Sequence, residues 1–223
     1  MGIEAVIFDC DGVLVDSEVL YIEIECRALA RIGLAYERSA YMARFTGLSD
    51  RDFVQTLDRD CWERLGAGLP KGFAEELDEE TARAMQTDLQ AIAGISELMR
   101  TLDIPTAVAS SATVANLRKK LDLTGLTAFF EPHVYSTELV KSGKPAPDIF
   151  LMASERLGRE PRHCLVVEDS VNGVLAGVSA GMRVWGFTGG GHADHALENR
   201  LLAAGAEMII GSHKALGERL REG

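Results

Sequence analysis

Asp9 and Asp11 stand one residue apart at the end of an apolar run and directly before Gly12. Residues two apart on an extended segment point to the same side, so both carboxylates can address one site. Two carboxylates held that close cannot both ionise freely unless a cation sits between them or one keeps its proton. Either outcome is chemically useful, for nucleophilic attack or for acid/base work. Read alone, the pair is also compatible with a solvated corner between a strand and a loop, where acidic residues are common.

Three further stretches offer partners. Ile104 to Ala109 is an apolar strand ending in Ser110 and Ser111. Ser110 and the first backbone N–H groups of the following helix can hold a phosphate, unless Ser110, Ser111 or Thr113 simply caps that helix. Lys144 lies in Lys141-Ser142-Gly143-Lys144-Pro145-Ala146-Pro147-Asp148, where glycine and prolines fix the backbone and Pro147 suits a helix start. A loop lysine by itself also reads as solvated. Leu165-Val166-Val167 leads into Glu168 and Asp169, oxygen donors of the kind that hard Mg2+ needs, although acids before a helix are also favoured by its dipole.

The elements that must position these groups follow from the apolar pattern. Ile3, Ala5, Val6, Ile7 and Phe8 read as a short buried strand. Val19, Leu20, Ile22, Ile24, Ala28, Leu29 and Ile32 recur at helical spacing until Gly33 stops them. Further helices are expected at 39–45, 50–57, 62–65 and 72–87, with no strand in that block. From Gly94 strand and helix alternate, with helices at 94–102, 113–121, 148–157, 170–180, 194–203 and 214–220. Strands are expected at 105–109, 133–135, 163–167, 183–187 and 208–210. This alternation predicts an α/β fold, a Rossmann-like doubly wound parallel sheet, and the helical block predicts an all-helical domain inserted after the first strand. The expected division is 1–16 with 88–223 for the α/β core and 17–87 for the helical domain. Such sheets carry their sites at the carboxyl ends of the strands, where every stretch above falls.

With 223 residues, 47% of them hydrophobic and 26% charged, the chain has the composition of a soluble globular enzyme. A net charge of -11 argues against nucleic acid or an anionic membrane as partner. It also means that a phosphate held here requires a local cation, so Mg2+ and one or two placed lysines are expected. Cysteines at 10, 26, 61 and 164 form no C-x-x-C pair and fit a reducing compartment. The N-terminus enters the first strand at once, and no apolar run reaches membrane-spanning length, so a cytoplasmic location and a monomer rather than a dimer are expected.

Asp9-Cys10-Asp11-Gly12-Val13-Leu14-Val15-Asp16-Ser17 resembles the first motif of the haloacid dehalogenase superfamily, D-x-D-G-[TV]-[LI] after the first strand. The other stretches resemble its second, third and fourth motifs in family order, through Ser110, Gly143-Lys144-Pro145-Ala146-Pro147-Asp148 and Glu168-Asp169-Ser170-Val171-Asn172-Gly173. The third is written as in the subgroup containing beta-phosphoglucomutase and phosphoglycolate phosphatase. The resemblance implies that Asp9 is the nucleophile and a metal ligand. By the same match Asp11 is the general acid/base and a ligand through its carbonyl. Ser110, with Ser111 beside it, and Lys144 bind phosphate, while Asp169 is a direct Mg2+ ligand and Glu168 lies beside the metal or binds it through water. The implied enzyme is a Mg2+-dependent phosphatase acting on a small phosphorylated metabolite. The helical block matches the family's cap, whose closure would exclude water and select the substrate. Tyr21, Arg44, Thr46, Arg51 and Arg83 are cap candidates for contacting it.

Beta-phosphoglucomutases carry a His in the first cap helix and a Lys-Gly-x-Ser-Arg run, where this chain has Tyr21 and Thr46-Gly47-Leu48-Ser49-Asp50. Both departures remove groups used to reorient the intermediate, so hydrolysis is favoured over a mutase. Asp11 counts against dehalogenases and phosphonatases, which lack that carboxylate. A signalling receiver domain also forms an aspartyl phosphate, but its nucleophile comes from a later strand than its acidic pair and it has no helical insertion. Thr188-Gly189-Gly190-Gly191 lacks dinucleotide-loop spacing and reads as a flexible loop near the site. His192 and His195 show no third ligand and read as surface loop. Cys10 is given no role.

Overall fold

Ala5–Phe8 buries completely and contains no polar side chain, as a parallel strand covered on both faces requires. In the computed structural model, which describes residues 2–45, 50–194 and 196–222 and the backbone alone of 43, 50 and 51, this strand (β1) lies inside a six-stranded sheet. Its companions are β2 (Thr106–Ser110), β3 (Val134–Ser136), β4 (Cys164–Glu168), β5 (Arg183–Phe187) and β6 (Met208–Ile210). The order is β3-β2-β1-β4-β5-β6 and all pairings are parallel. The chain therefore builds outward from β1 first to one side and then to the other, which makes the carboxyl end of β1 the topological switch point.

Four helices, α1 (Ser17–Arg31), α2 (Arg38–Phe45), α3 (Asp50–Leu65) and α4 (Phe73–Thr87), follow β1 with no strand among the described residues. The rest, α5 (Ile95–Thr101), α6 (Val114–Leu123), α7 (Thr127–Phe130), α8 (Asp148–Leu157), α9 (Val171–Ser179), α10 (Leu197–Ala203) and α11 (His213–Glu222), alternate with the strands. By internal packing the chain divides into Met1–Ser17 with Leu89–Gly223 and, separately, Glu18–Asp88. The first unit buries Ile7, Ala109, Phe150, Val166 and Val174 around the sheet. The helical unit has its own core, which includes Ile24, Leu29, Tyr41, Leu57 and Phe73. No described helix is long and apolar enough to cross a membrane.

One expectation is corrected. Residues 50–57 and 62–65 do not form two helices but the single α3. No glycine or proline interrupts them, and the polar stretch between keeps its carboxylates occupied inside the unit. Asp58 accepts the Leu69 N–H at 2.8 Å, and Asp60 accepts from Tyr36 and Arg44.

Register explains why the strand ends matter. Phe8 is level with Val108 on β2 and Val167 on β4, so Asp9 emerges between Ala109 and Glu168. The loop that follows is tied from behind by His213, the first residue of α11. It is fully buried, lies against Phe187 with ring centroids 4.7 Å apart, and donates through Nε2 to Val13 O at 2.8 Å. Its Nδ1 is buried with no partner among the described residues. Burial therefore holds the imidazole neutral and pulls its pKa down to about 4, against the smaller upward pull of the Val13 bond.

A folded-state pKa below the unfolded value of about 6.5 contributes stability that is whole above pH 6.5 and is lost as pH falls towards 4. The expected loss is about 3 kcal/mol. Denaturant unfolding at stepped pH should show His213→Gln, which keeps a donor for Val13, losing less stability than the wild type by about that amount. Parallel pH profiles for the two proteins would refute it.

Candidate active site

Lys144 joins three strand ends. Its Nζ donates to Asp9 Oδ1 at 2.5 Å, to Ala109 O at 3.0 Å and to Glu168 Oε1, and its side chain is only 4% exposed. The Gly143-to-Ala146 turn, closed by Ala146 N–H to Gly143 O at 2.9 Å, and the start of α8 deliver it there. Burial opposes the ammonium charge, but the Asp9 and Glu168 carboxylates outweigh burial and raise the Lys144 pKa above its ordinary value. This lysine is therefore a permanent buried cation.

Glu168, the last residue of β4, is wholly buried and its carboxylate is shared. Oε1 accepts from Lys144, while Oε2 accepts the Ser170 N–H at 3.0 Å and the Ser170 hydroxyl at 2.9 Å. The side chain lies over the first turn of α9, where a Cβ on Gly173 would come within 1.8 Å of Oε1. The glycine of the E-D-S-x-x-G stretch is thus a space requirement. Ser170 caps α9 by accepting the Gly173 N–H at 3.0 Å.

Asp9, Glu168 and Asp169 each present a carboxylate oxygen, all within 4.8 Å of one another. Burial first, then the neighbouring carboxylates of Glu168, Asp169 and Asp11, raise the Asp9 pKa well above normal, with Lys144 opposing. Burial also pushes Asp169 up to about 6, with Glu168 adding and His192 opposing. Three hard oxygen donors against one ammonium leave uncompensated negative charge, so the donor set fits a divalent cation that prefers oxygen. Since Lys144 and Ser170 already occupy Glu168, Asp9 and Asp169 are the pair best able to hold one.

The Asp11 side chain lies outside this acidic group. Its Oδ1 accepts from the Ser17 hydroxyl and from Lys120 Nζ. Lys120 is 7% exposed and did not figure in the reading of the motifs, yet the pattern carried a signal for it. Leu117, Lys120 and Leu121 are the buried residues of α6, and their i, i+3, i+4 spacing sets the lysine on the apolar stripe.

Ser110 is 1% exposed at the end of β2, and its hydroxyl accepts the Ala112 N–H at 3.0 Å. Ser111 is exposed, and Thr113 is the residue that caps α6, accepting the Asn116 N–H at 3.2 Å. His192 is a second missed residue. Expected on a surface loop, it is instead only 14% exposed and places Nε2 3.0 Å from Asp169 Oδ2. His195 lies outside the described residues.

In the helical unit Tyr21 lines a cavity of about 570 Å3 together with Glu25, Tyr41, Phe53 and Asp78. The Tyr41 hydroxyl donates to Glu25. Thr46 and the Arg51 side chain lie outside the described residues. Arg44 and Arg83 do not line this cavity, since Arg44 is held by Asp60 and Arg83 lies by Glu79 at 3.4 Å.

Residues 3–181 match the haloacid dehalogenase-like hydrolase family. A phosphorylated carbohydrates phosphatase of Thermotoga maritima is 32% identical over 213 residues, covering 93% of this chain and 94% of its own. The 6-phosphogluconate phosphatase of Escherichia coli K12 is 28% identical over 191 residues, 85% of each chain. A HAD family hydrolase from Deinococcus radiodurans R1, solved with bound phosphate and sodium, has a TM-score of 0.89 at 33% identity, over 99% of this chain and 96% of that one. With most of its length matched in this way, the chain belongs to the haloacid dehalogenase-like hydrolase family, among its phosphatases.

Proposed function

We propose that the chain is a Mg2+-dependent phosphatase that hydrolyses a small phosphorylated metabolite through an aspartyl phosphate on Asp9. The observation that carries this reading is the Asp9 carboxylate held by Lys144 at 2.5 Å beside Asp169, with Asp11 two residues on. Asp9 attacks phosphorus, forming its O–P bond as the ester P–O bond breaks, and Asp11 gives a proton to the departing alcohol. Asp11 then takes a proton from the water that attacks the aspartyl phosphate, which releases phosphate and restores Asp9. The Ser17 hydroxyl and Lys120 hold Asp11 for both steps. Lys144 and Ser110 offset charge on the phosphoryl oxygens. Asp9 and Asp169 would hold Mg2+, with the Asp11 carbonyl and Glu168 as further oxygen donors, and the ion when bound would add to the neutralisation of those oxygens.

The relatives are named for phosphorylated carbohydrates and for 6-phosphogluconate, which supports a sugar phosphate or sugar-acid phosphate ahead of phosphoglycolate. We place the enzyme in the cytoplasm, in keeping with its free cysteines, as a monomer without nucleic acid or membrane partners. The test is phosphate release from a panel of sugar, sugar-acid and nucleotide phosphates, with and without Mg2+. Release from a sugar or sugar-acid ester is expected, falling about 100-fold or more in excess chelator and returning with Mg2+. Full turnover in chelator would remove the metal, and interconversion of hexose phosphates without release would make the enzyme a mutase.

A further inference from the structure

The loop after β5, Thr188-Gly189-Gly190-Gly191-His192, is keyed into the first motif by close backbone approach. A Cβ on Gly190 would lie 2.7 Å from Gly12 O and 2.9 Å from the His192 ring. One on Gly12 would lie 1.8 Å from Asp169 Oδ2 and 2.6 Å from His192 Cε1. The Gly191 N–H adds a bond to Asp16 Oδ1 at 3.1 Å. Side chains at positions 12 and 190 would displace the imidazole, so these glycines make room for one ring. What that room delivers is a polar contact in the acidic group, His192 Nε2 to Asp169 Oδ2 at 3.0 Å, with the two side chains 14% and 8% exposed.

From this geometry we infer that His192 is a positioning residue for the divalent cation: donating through Nε2 to Asp169 Oδ2, it fixes the carboxylate so that the other oxygen is presented to the cation. A carboxylate tethered at one oxygen loses its rotational freedom before the cation arrives, so binding no longer has to order it. Hydrogen-bond partners of this kind behind metal ligands typically change metal affinity by about 10- to 100-fold when removed. The inference rests on the assignment of Asp9 and Asp169 to the cation.

Titration calorimetry of the intact protein with Mg2+, without substrate, tests it on wild type, His192→Ala, His192→Leu and His192→Gln. Ala and Leu should weaken Mg2+ binding by about 10- to 100-fold, and Gln, whose amide N–H can reach the same oxygen, should recover most of the loss. In turnover, the Mg2+ concentration giving half the maximal rate should rise by the same factor, while KM for the ester at saturating Mg2+ stays within about twofold. Unchanged or tighter Mg2+ binding in the Ala variant, or Gln no better than Leu, overturns the role. Wild type that binds no Mg2+ overturns the cation assignment instead. Thermal unfolding in chelator identifies a variant that does not fold; should Ala fail, the bulkier Gln and Leu pair decides.

Discussion

Asp9→Asn is expected to lower phosphate release by about 10,000-fold or more and to leave no phosphoryl group on the protein after mixing with substrate. The amide keeps the volume of the carboxylate but has no anionic oxygen with which to attack phosphorus. The same change should not unfold the protein. Asp9 sits against Glu168 and Asp169, whose negative charges, together with burial, raise its pKa, and Lys144 keeps Glu168 as its partner when Asp9 is neutral. Removing one of three crowded carboxylates relieves repulsion, so thermal stability in excess chelator should equal or exceed that of the wild type. The measurement pairs phosphate release with intact-protein mass spectrometry. Release within about tenfold of the wild type would remove Asp9 from the nucleophile's place, because losing the attacking group of a covalent mechanism is never that mild.

Most of this site was legible because the fold presents its chemistry at the ends of apolar runs. β1 is short and apolar up to Phe8, directly before Asp9, and the central apolar residues of β2 and β4 lead to their last residues, Ser110 and Glu168, so one break in hydropathy marks both the strand end and the candidate site group. Lys144 was legible because glycine and prolines around it signal a fixed backbone. Lys120 and His192 were not, for different reasons. Lys120 shares a helix with Arg118 and Lys119, and adjacent cations suggest a solvated face. Only its register with Leu117 and Leu121 distinguishes it, as the side chain that crosses the apolar stripe to reach Asp11. His192 follows three glycines, which read locally as freedom. Gly190 serves close packing against Gly12, at the other end of the chain, and no local pattern encodes that approach. His213 is hidden in the same way, since its partner Val13 lies at the other end of the chain.

Asp11→Asn should separate the two jobs of the opening motif. If Asp11 is the general acid, its loss slows ester cleavage most where the leaving group is a poor, alkoxide-like one, by about 1,000-fold for a sugar phosphate, and least for an activated aryl phosphate, whose departure needs little protonation. The Ser17 hydroxyl can still donate to the amide oxygen, whereas Lys120 loses its charged partner, so His192, Asp169 and the acidic group should hold their geometry and Mg2+ affinity should persist. Water attack on the aspartyl phosphate would nevertheless lack its base. Rapid mixing of the variant with an aryl phosphate should therefore give a burst near one product per site, then slow turnover, with the phosphoryl group trapped on Asp9. Equal slowing for good and poor leaving groups, with nothing trapped, would mean that Asp11 organises the site with Ser17 and Lys120 and moves no proton.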